Sequence, residues 1–304
     1  MEEEIKYYLK LLNFLRNEEF DDETLQRCVE YLDKPKVLEP EPTAPVFNPP
    51  NEILECNDEI IKLALLRDEP RGMQIEGNNI CYNKKKYNFN NVFQASDESI
   101  VYEMLEFINK RTMVNKDSSV ITFGYSGSGK STLIRKLIEN IGGIRFKLYE
   151  IYLNKIYIYL NGLKVEIPIK DLDSDKYIFE SYDILNVCEK FARRKDNGVN
   201  STSSRSHTVL ELYYPNCKVS LFDLAGNEKI NKKEQVDEAK FINNSLFNVS
   251  RYLKLGPKHK DNKCMLLNVI KKTANIIFTM LLHDNGANSA TNHLLMFSDI
   301  LKLL

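Results

Sequence analysis

This 304-residue sequence lacks the features that define secreted, membrane-spanning and nucleic-acid-binding proteins. It has no run of about 18 apolar residues, the length that a membrane-spanning helix requires. Its first residues, MEEEIKYY, are acidic, which predicts that there is no ordinary signal peptide. The formal net charge is -1, so the chain is not a broadly basic nucleic-acid binder and any cationic surface has to be local. We therefore expect a globular protein that binds neither membrane nor nucleic acid.

Paired cysteines are also missing. The six cysteines are scattered singly along the chain, and none belongs to a C-x-x-C motif. Because disulfides belong to oxidising compartments, we interpret the cysteines as free thiols of a protein in the reducing cytoplasm. They are Cys28, Cys56, Cys81, Cys188, Cys217 and Cys264.

The N-terminal part of the chain differs from the rest in its residue pattern and proline content. Residues 1–34 contain apolar residues at helical spacing, which predicts a helical extension. Residues 35–56 contain six prolines. Prolines at this density favour an extended backbone, so we interpret this stretch as a linker. The length allows one large domain beyond it, and we assign that domain to residues 57–304.

Within residues 57–304, predicted strands alternate with predicted helices. This order indicates an α/β fold with a central, mostly parallel mixed sheet and helices on both of its faces. The predicted strands are IIKLALL, the hairpin region GMQIEGNNICYNKKKYNF, SSVITF, FKLYEIYLNKIYIYL, HTVLELYY and KVSLFDLAG. The predicted helices are DESIVYEMLEFINK, STLIRKLIENI and the stretches 182–194, 234–254 and 288–303.

A glycine-rich turn follows the strand SSVITF. Its residues Gly124-x-x-x-x-Gly129-Lys130-Ser131 have the spacing of a P-loop, and a helix follows it as that motif requires. Glycines let successive backbone N–H groups point at phosphates, and the helix N-terminus adds positive potential. Lys130 is expected to reach the β- and γ-phosphates and Ser131 to ligate Mg²⁺. The motif predicts nucleotide binding but does not say what the nucleotide's energy is used for.

Two later segments narrow the class of protein. NSTSSRSH, residues 200–207, would by itself be an ordinary polar loop. LFDLAGNE, residues 221–228, would by itself be a strand that ends in a turn, although Asp-x-x-Gly after a strand also suits a nucleotide switch. Their order after the P-loop favours the switch interpretation for both.

Together the three motifs resemble the motor domain of the kinesin superfamily, whose switches read N-x-x-S-S-R-S-H and D-L-A-G-x-E. The resemblance extends over about residues 60–304, because YNFNNVF, YEIYLNKIYIYL, EAKFINNSL, HKDNK and NHLLMFSDILKLL are similar to other kinesin segments in the same order. It implies a kinesin-like P-loop NTPase core, ATP and Mg²⁺ as cofactors, and a relay helix that contains EAKFINNSL.

The resemblance also implies roles for individual residues. Ser203 would position the attacking water, Gly226 would sense the γ-phosphate, and Arg205 and Glu228 would pair when both switches close on ATP. The implied catalytic set is Lys130, Ser203, Ser204, Arg205, Gly226 and Glu228, and the implied metal ligands are Ser131, Ser204 and Asp223. The implied nucleotide contacts are Gly124, Tyr125, Ser126, Gly127, Ser128, Gly129, Lys130, Ser131, Thr132, Arg67 and Pro70.

The sequence departs from the family near the base of the nucleotide. Arg67 and Pro70 fit the family's R-x-R-P segment, but Glu69 replaces a basic residue, and Thr132 stands where many members place an aromatic residue or histidine. We therefore expect a looser base pocket. The connection between Thr132 and the YEIY strand is also much shorter than in the family. Most family members continue into a neck linker, which we do not expect here because the sequence stops at Leu304.

The expected partner is the microtubule, contacted through the region Lys229–Lys263. Lysines in this region would attract acidic tubulin, although surface lysines are in general simply solvated. They are Lys229, Lys232, Lys233, Lys254, Lys258, Lys260 and Lys263. Residues 4–32 are a candidate contact with a second copy or a partner chain, although each of the two helices predicted there is shorter than the three or four heptads that a coiled coil requires.

Three functions compete at this stage. The first is a microtubule-stimulated ATPase of the kinesin type, associated with the cytoskeleton. The second is a kinesin-homology module that binds microtubules or a partner with weak or no ATP turnover, which the altered base pocket and short loops favour. The third, a small GTPase-like switch, fails because S-S-R-S-H is foreign to it and no guanine-reading N-K-x-D is evident. The complete set of switch residues favours the ATPase.

Overall fold

A computed structural model describes eleven stretches of the chain. They are residues 59–66, 73–82, 84–94, 97–141, 145–160, 163–181, 183–189, 205–226, 236–256, 259 and 263–282. The predicted extension 1–34 and linker 35–56 therefore lie outside the described residues. The chain divides into a unit formed by residues 1–55 and 159–165 and a larger unit formed by residues 56–158 and 166–304. In the first unit the structure describes only residues 159, 160 and 163–165, all of them in strands.

The larger unit is organised around a mixed β-sheet. In chain order the strands are β1 (Ile60–Leu66), β2 (Met73–Glu76), β3 (Asn79–Tyr82), β4 (Lys85–Asn88), β5 (Asn91–Gln94), β6 (Ser118–Phe123), β7 (Arg145–Tyr152), β8 (Lys155–Leu160), β9 (Leu163–Ile167), β10 (Phe179–Glu180), β11 (His207–Tyr213), β12 (Lys218–Asp223) and β13 (Asn275–Leu282). Neighbouring strands of the main sheet follow the order β5-β1-β13-β6-β12-β11-β7-β8, and β10 pairs with β7. Strands β2, β3 and β4 form a separate antiparallel sheet, which confirms the predicted hairpin region.

The sheet is parallel in one half and antiparallel in the other. Strands β5, β1, β13, β6 and β12 run parallel, whereas β12, β11, β7 and β8 are joined by antiparallel pairs. Every residue of β6 and of β13 is buried, and such strands must be covered on both faces. This confirms the predicted mixed sheet with helices on both sides.

Strand β13 was not predicted. Its sequence NIIFTMLL is an eight-residue run with one polar hydroxyl, which is the pattern of a strand buried on both faces. It lies between β1 and β6, and Phe278 stands beside Ile121 in the register. The run was the available signal, but periodicity alone does not distinguish such a strand from a buried helical segment.

Four helices accompany the strands in the described part of the chain, with a further helical stretch at residues 184–189. They are α1 (Ser99–Met113), α2 (Lys130–Asn140), α3 (Val236–Leu255) and α4 (Met265–Ile270). Helix α1 packs on α2, and α3 packs on α4. In α1 the buried residues Ile100, Met104, Phe107 and Arg111 recur every three or four positions, so one stripe faces the core. The predicted helix 288–303 lies outside the described residues.

The topology brings the three sequence motifs to one edge of the sheet. The parallel strands β6 and β12 both end there, the first at the glycine-rich turn and the second at Asp223. Strand β11 is antiparallel to β12, and Thr208 pairs with Asp223, so the first-switch motif enters the sheet at this same edge. Ligands of open α/β sheets bind outside the carboxyl ends of parallel strands.

Candidate functional site

The glycine-rich turn, residues 124–129, forms a tight cradle between β6 and α2. Gly129 begins α2 with a φ of 98°, in the left-handed region that favours glycine. At Gly124 the constraint is space, since an added Cβ would lie 2.6 Å from the Oγ of Ser128 and 2.7 Å from the backbone oxygen of Leu281. The backbone of β13 therefore presses directly against the start of the cradle, and only glycine fits there.

The Gly124→Ala variant tests this close approach. We expect it to shift the turn, because the Leu281 oxygen belongs to a fully buried strand and cannot move aside. Nucleotide affinity, measured by titration with a fluorescent ADP analogue, is expected to fall about tenfold or more, since backbone N–H groups must converge on the phosphates. Gly256→Ala is the control, because nothing lies within 4 Å of a Cβ added there; its left-handed φ strains that position without touching the cradle. Unchanged affinity in Gly124→Ala would contradict the steric argument.

Lys130 is the first residue of α2 and is almost fully buried, with 7% of its surface exposed. Its Nζ donates to the backbone oxygens of Gly124 at 2.9 Å and of Tyr125 at 2.7 Å. The ammonium group thus lies inside the curve of the cradle, which concentrates positive charge there.

Ser131 and Asp223 join the cradle to the second switch. The Ser131 hydroxyl donates to Oδ2 of Asp223 at 2.5 Å, although the two residues are far apart in sequence. A hydroxyl next to a carboxylate supplies the oxygen ligands that Mg²⁺ takes, and Mg²⁺ sites use few protein ligands because the ion keeps several waters. The described residues contain no cluster of three His, Cys, Asp or Glu side chains. These two oxygens therefore fit a shared Mg²⁺–nucleotide site better than a metal site made by the protein alone.

Arg205 lies at the same edge but with a partner that sequence analysis missed. Its Nη1 is 2.9 Å from Oε2 of Glu238, in the first turn of α3, and less than a fifth of either side chain is exposed. Oε1 of Glu238 accepts a hydrogen bond from the Tyr152 hydroxyl. Burial, and next the bond to Glu238, raise the pKa of Tyr152 to about 12, so the phenol remains a donor at neutral pH. Both oxygens of Glu238 are thus engaged, and they tie Arg205 and Tyr152 to α3.

Of the remaining predicted site residues, the structure describes Gly226 but not five others. Gly226 is buried three residues after Asp223, at the edge where the cradle lies. The predicted site residues Arg67, Pro70, Ser203, Ser204 and Glu228 lie outside the described residues. Their assigned roles, including the Arg205–Glu228 pair, therefore stay predictions.

Thr132 borders a cavity of about 140 Å³ beside the cradle. The cavity lies between the start of α1, the start of α2 and Leu65 at the end of β1. Glu98 and Lys136 form an ion pair of 2.8 Å in its wall. Its position, next to the cradle and to the end of β1, is where we predicted the base pocket from the sequence.

The exposed face of α3 combines aromatic and cationic side chains. Phe241 and Phe247 are 46% and 50% exposed, and the guanidinium of Arg251 lies 5.6 Å from the centre of the Phe247 ring. Lys240 and Lys254 are exposed on the same helix, and Lys263 is exposed shortly after it. Aromatic residues and arginine are enriched where proteins bind one another. The sequence analysis identified Lys254 and Lys263 but missed Lys240, Arg251 and the two phenylalanines.

The geometry defines a P-loop fold in which Arg205–His207 and Asp223–Gly226 lie at the same sheet edge as the cradle, and comparisons with known proteins identify the fold more closely. The model of the kinesin motor domain family matches residues 143–262. The sequence matches none of the curated proteins with which it was compared. Over the described chain there is no helix long and apolar enough to cross a membrane.

Solved kinesin structures share the fold. The chain is similar to the Drosophila kinesin family member Kin10/NOD, solved with manganese and ADP, at 14% identity and a TM-score of 0.60, covering 79% of this chain and 96% of that one. It is similar to the motor domain of the Kar3-like kinesin from Ashbya gossypii at 17% identity and a TM-score of 0.57, covering 79% and 99%. Drosophila NOD docked with bovine tubulin into a map of the microtubule complex matches at 13% identity and a TM-score of 0.55, covering 80% and 96%. The resemblance predicted from the three motifs is confirmed: the chain has the fold of a kinesin motor domain.

Proposed function

We propose that this protein is a microtubule-stimulated ATPase of the kinesin type, a motor or a regulator of microtubules. The observation that carries the proposal is the contact between Ser131 and Asp223, which joins the phosphate cradle to the second switch. A P-loop alone binds nucleotides of many protein classes. A P-loop whose magnesium-binding serine touches the Asp-x-x-Gly segment has the parts of a γ-phosphate switch.

The residues of the cradle suit ATP with Mg²⁺. Under this proposal Lys130 binds the β- and γ-phosphates, and Ser131, Ser204 and Asp223 hold the metal directly or through water. Mg²⁺ held by these residues would supply positive charge that offsets the negative charge of the phosphates during hydrolysis. NOD structures contain ADP with manganese, and also AMPPNP, which supports the assignment of an adenine nucleotide here.

The switches then transmit the state of the nucleotide. We propose that Ser203 orients the attacking water and that the amide of Gly226 binds the γ-phosphate. Arg205, which pairs with Glu238 in this structure, would exchange that partner for Glu228 when the switches close. Loss of the γ-phosphate releases both segments, as in other nucleotide switches.

The partner under this proposal is the acidic surface of the microtubule, and the exposed face of α3 is the contact. Lys240, Arg251 and Lys254 supply positive charge along one helix, while Phe241 and Phe247 supply apolar area. Charge of this kind accelerates association with an acidic partner and is weakened by salt. Cytoskeletal localisation follows from the same contact.

Phosphate release from the purified protein, with and without polymerised tubulin, tests the enzyme. We expect ATP turnover on its own and a rate about tenfold or more higher with microtubules, since product release and switch opening limit many such enzymes. Binding to microtubules without any nucleotide turnover would refute the ATPase and leave the kinesin-homology binding module as the function.

Two triple variants test whether the exposed face of α3 contacts microtubules. Replacing Lys240, Arg251 and Lys254 together with alanine is expected to weaken co-sedimentation with microtubules about tenfold or more at low salt, because steering and contact are both electrostatic. The matched control replaces Lys84, Lys85 and Lys86, three exposed lysines at the β3–β4 turn, which removes the same charge elsewhere. Equal weakening by both triple variants would show that only net charge matters and that α3 is not the contact.

A further inference from the structure

His207, the last residue of the first-switch motif, has hydrogen bonds on both ring nitrogens. It begins β11 and is 4% exposed. The backbone N–H of Ala225 donates to Nδ1 at 3.0 Å, and Nε2 lies 2.8 Å from the hydroxyl of Ser245 in α3. Ser245 in turn donates to the backbone oxygen of Ile242 at 2.7 Å. The ring therefore stands between the second switch and the relay helix.

These contacts determine which ring nitrogen carries the hydrogen. A backbone amide can only donate, so Nδ1 is the acceptor and has no hydrogen. The neutral ring then carries its hydrogen on Nε2, which donates to the Ser245 oxygen. That oxygen is available as an acceptor because its own hydrogen is directed at Ile242. Each group in this series donates to the next one: the Ala225 N–H to His207, His207 to Ser245, and Ser245 to the backbone oxygen of Ile242. The three hydrogen bonds are therefore mutually compatible.

The chain joins three elements that a nucleotide switch has to coordinate. Ala225 lies between Asp223 and Gly226 in the second switch, His207 belongs to the first, and Ser245 lies in the middle of α3. Arg205 and Glu238 tie the first switch to α3 seven residues earlier, on the same side of that helix. The His207 side chain links the second-switch backbone directly to α3.

We propose that His207 is a positioning residue that makes the Asp223–Gly226 segment and α3 move together. The inference rests on the proposed function, since it concerns how that switch is read. Hydrogen bonds weaken steeply with distance and misalignment, and a buried amide that loses its partner is costly. A shift of the Ala225 amide toward a γ-phosphate therefore either moves the ring, and Ser245 with it, or breaks a buried bond.

The first experiment needs no nucleotide. Amide hydrogen exchange is measured on the full chain for wild type, His207→Leu and Ser245→Ala. His207→Leu removes the acceptor of the Ala225 amide, and we expect that amide to exchange about tenfold faster, as for the loss of one net hydrogen bond. Ser245→Ala, a mild change on a half-buried helix position, leaves the ring without an anchor and is expected to accelerate the same amide several-fold. His259→Leu is the control, because a ring nitrogen of His259 is bonded to Asn248 of the same helix, three residues beyond Ser245.

The second experiment adds AMPPNP and compares exchange along residues 236–255. In wild type we expect the nucleotide to change exchange in α3. In Ser245→Ala the nucleotide-dependent change is expected to fall at least about threefold, while Ser245→Thr, which keeps the hydroxyl, retains it. A purely structural role of Ser245 would lower stability without removing this response, so thermal unfolding is recorded in parallel.

Two results would overturn the proposal. One is unchanged exchange at Ala225 in both His207→Leu and Ser245→Ala. The other is a Ser245→Ala protein in which AMPPNP alters α3 as strongly as in wild type. Failure of wild type to bind AMPPNP is a different result, since it contradicts the proposed function while the nucleotide-free experiment still decides whether His207 holds the second switch.

Discussion

Replacing Lys130 with alanine is expected to lower ATP hydrolysis by a factor on the order of 100 or more, the range seen when one preorganised charge-stabilising group is removed. The ammonium lies inside the cradle, 7% exposed, and its position is determined by the oxygens of Gly124 and Tyr125. Alanine removes this charge from the cradle and supplies nothing in its place. Phosphate release at saturating ATP, with and without microtubules, measures the effect.

Arg135→Ala is the matched control for this prediction. Arg135 lies on the same helix, but its side chain is 56% exposed and pairs with Glu139 and Glu189, away from the cavity beside the cradle. Its loss removes one positive charge from α2 and leaves the cradle intact, so turnover is expected to stay within about threefold of wild type, as for surface charges in general. Equal activity of Lys130→Ala and wild type would mean that the measured phosphate release does not come from this site.

Asp223→Asn is expected to reduce turnover by a similar factor and to raise the Mg²⁺ concentration needed for half-maximal activity. The amide keeps the shape of the side chain but loses the negative charge that attracts a divalent cation. It also changes the partner of the Ser131 hydroxyl, which lies 2.5 Å from Oδ2 in this structure. The measurement is a Mg²⁺ titration of phosphate release at constant ATP.

The control for Asp223 is Asp173→Asn, a carboxylate that forms an ion pair with Lys272 and is 69% exposed. Both variants change the net charge by one unit, but only Asp223 ends a strand beside the cradle. A Mg²⁺ dependence identical in wild type and Asp223→Asn would exclude Asp223 from the metal site. A parallel loss in Asp173→Asn would point instead to general destabilisation, which thermal unfolding would reveal.

Much of the fold was predictable because its signals are local. The strand SSVITF, the glycine-rich turn and helix α2 follow one another within a short stretch, so spacing and periodicity were sufficient. The amphipathic pattern of α1 likewise predicted both the helix and its buried face. Strand β13 was missed because an unbroken apolar run has no period that separates a buried strand from a buried helix.

The candidate site was predicted less completely. Arg205 was expected to pair with Glu228, which lies outside the described residues, so that pair stays a prediction. The structure shows Arg205 paired with Glu238, whose other carboxylate oxygen accepts a hydrogen bond from Tyr152. His207 was recognised as part of a motif, but its bonds to Ala225 and Ser245 join residues from three separate elements. Partners so distant in sequence leave no periodic or spacing signal.

The sequence by itself was sufficient to predict the fold family and the phosphate cradle, because the cradle and the two switch motifs are short, ordered strings whose residues act through local backbone geometry. Only the tertiary structure decided how those motifs are connected. The parallel pairing of β6 with β12 places Ser131 against Asp223, and the position of α3 determines which carboxylate holds Arg205 and which hydroxyl anchors His207. These contacts depend on how elements pack across the sheet, and a linear pattern of residues does not encode packing between distant segments.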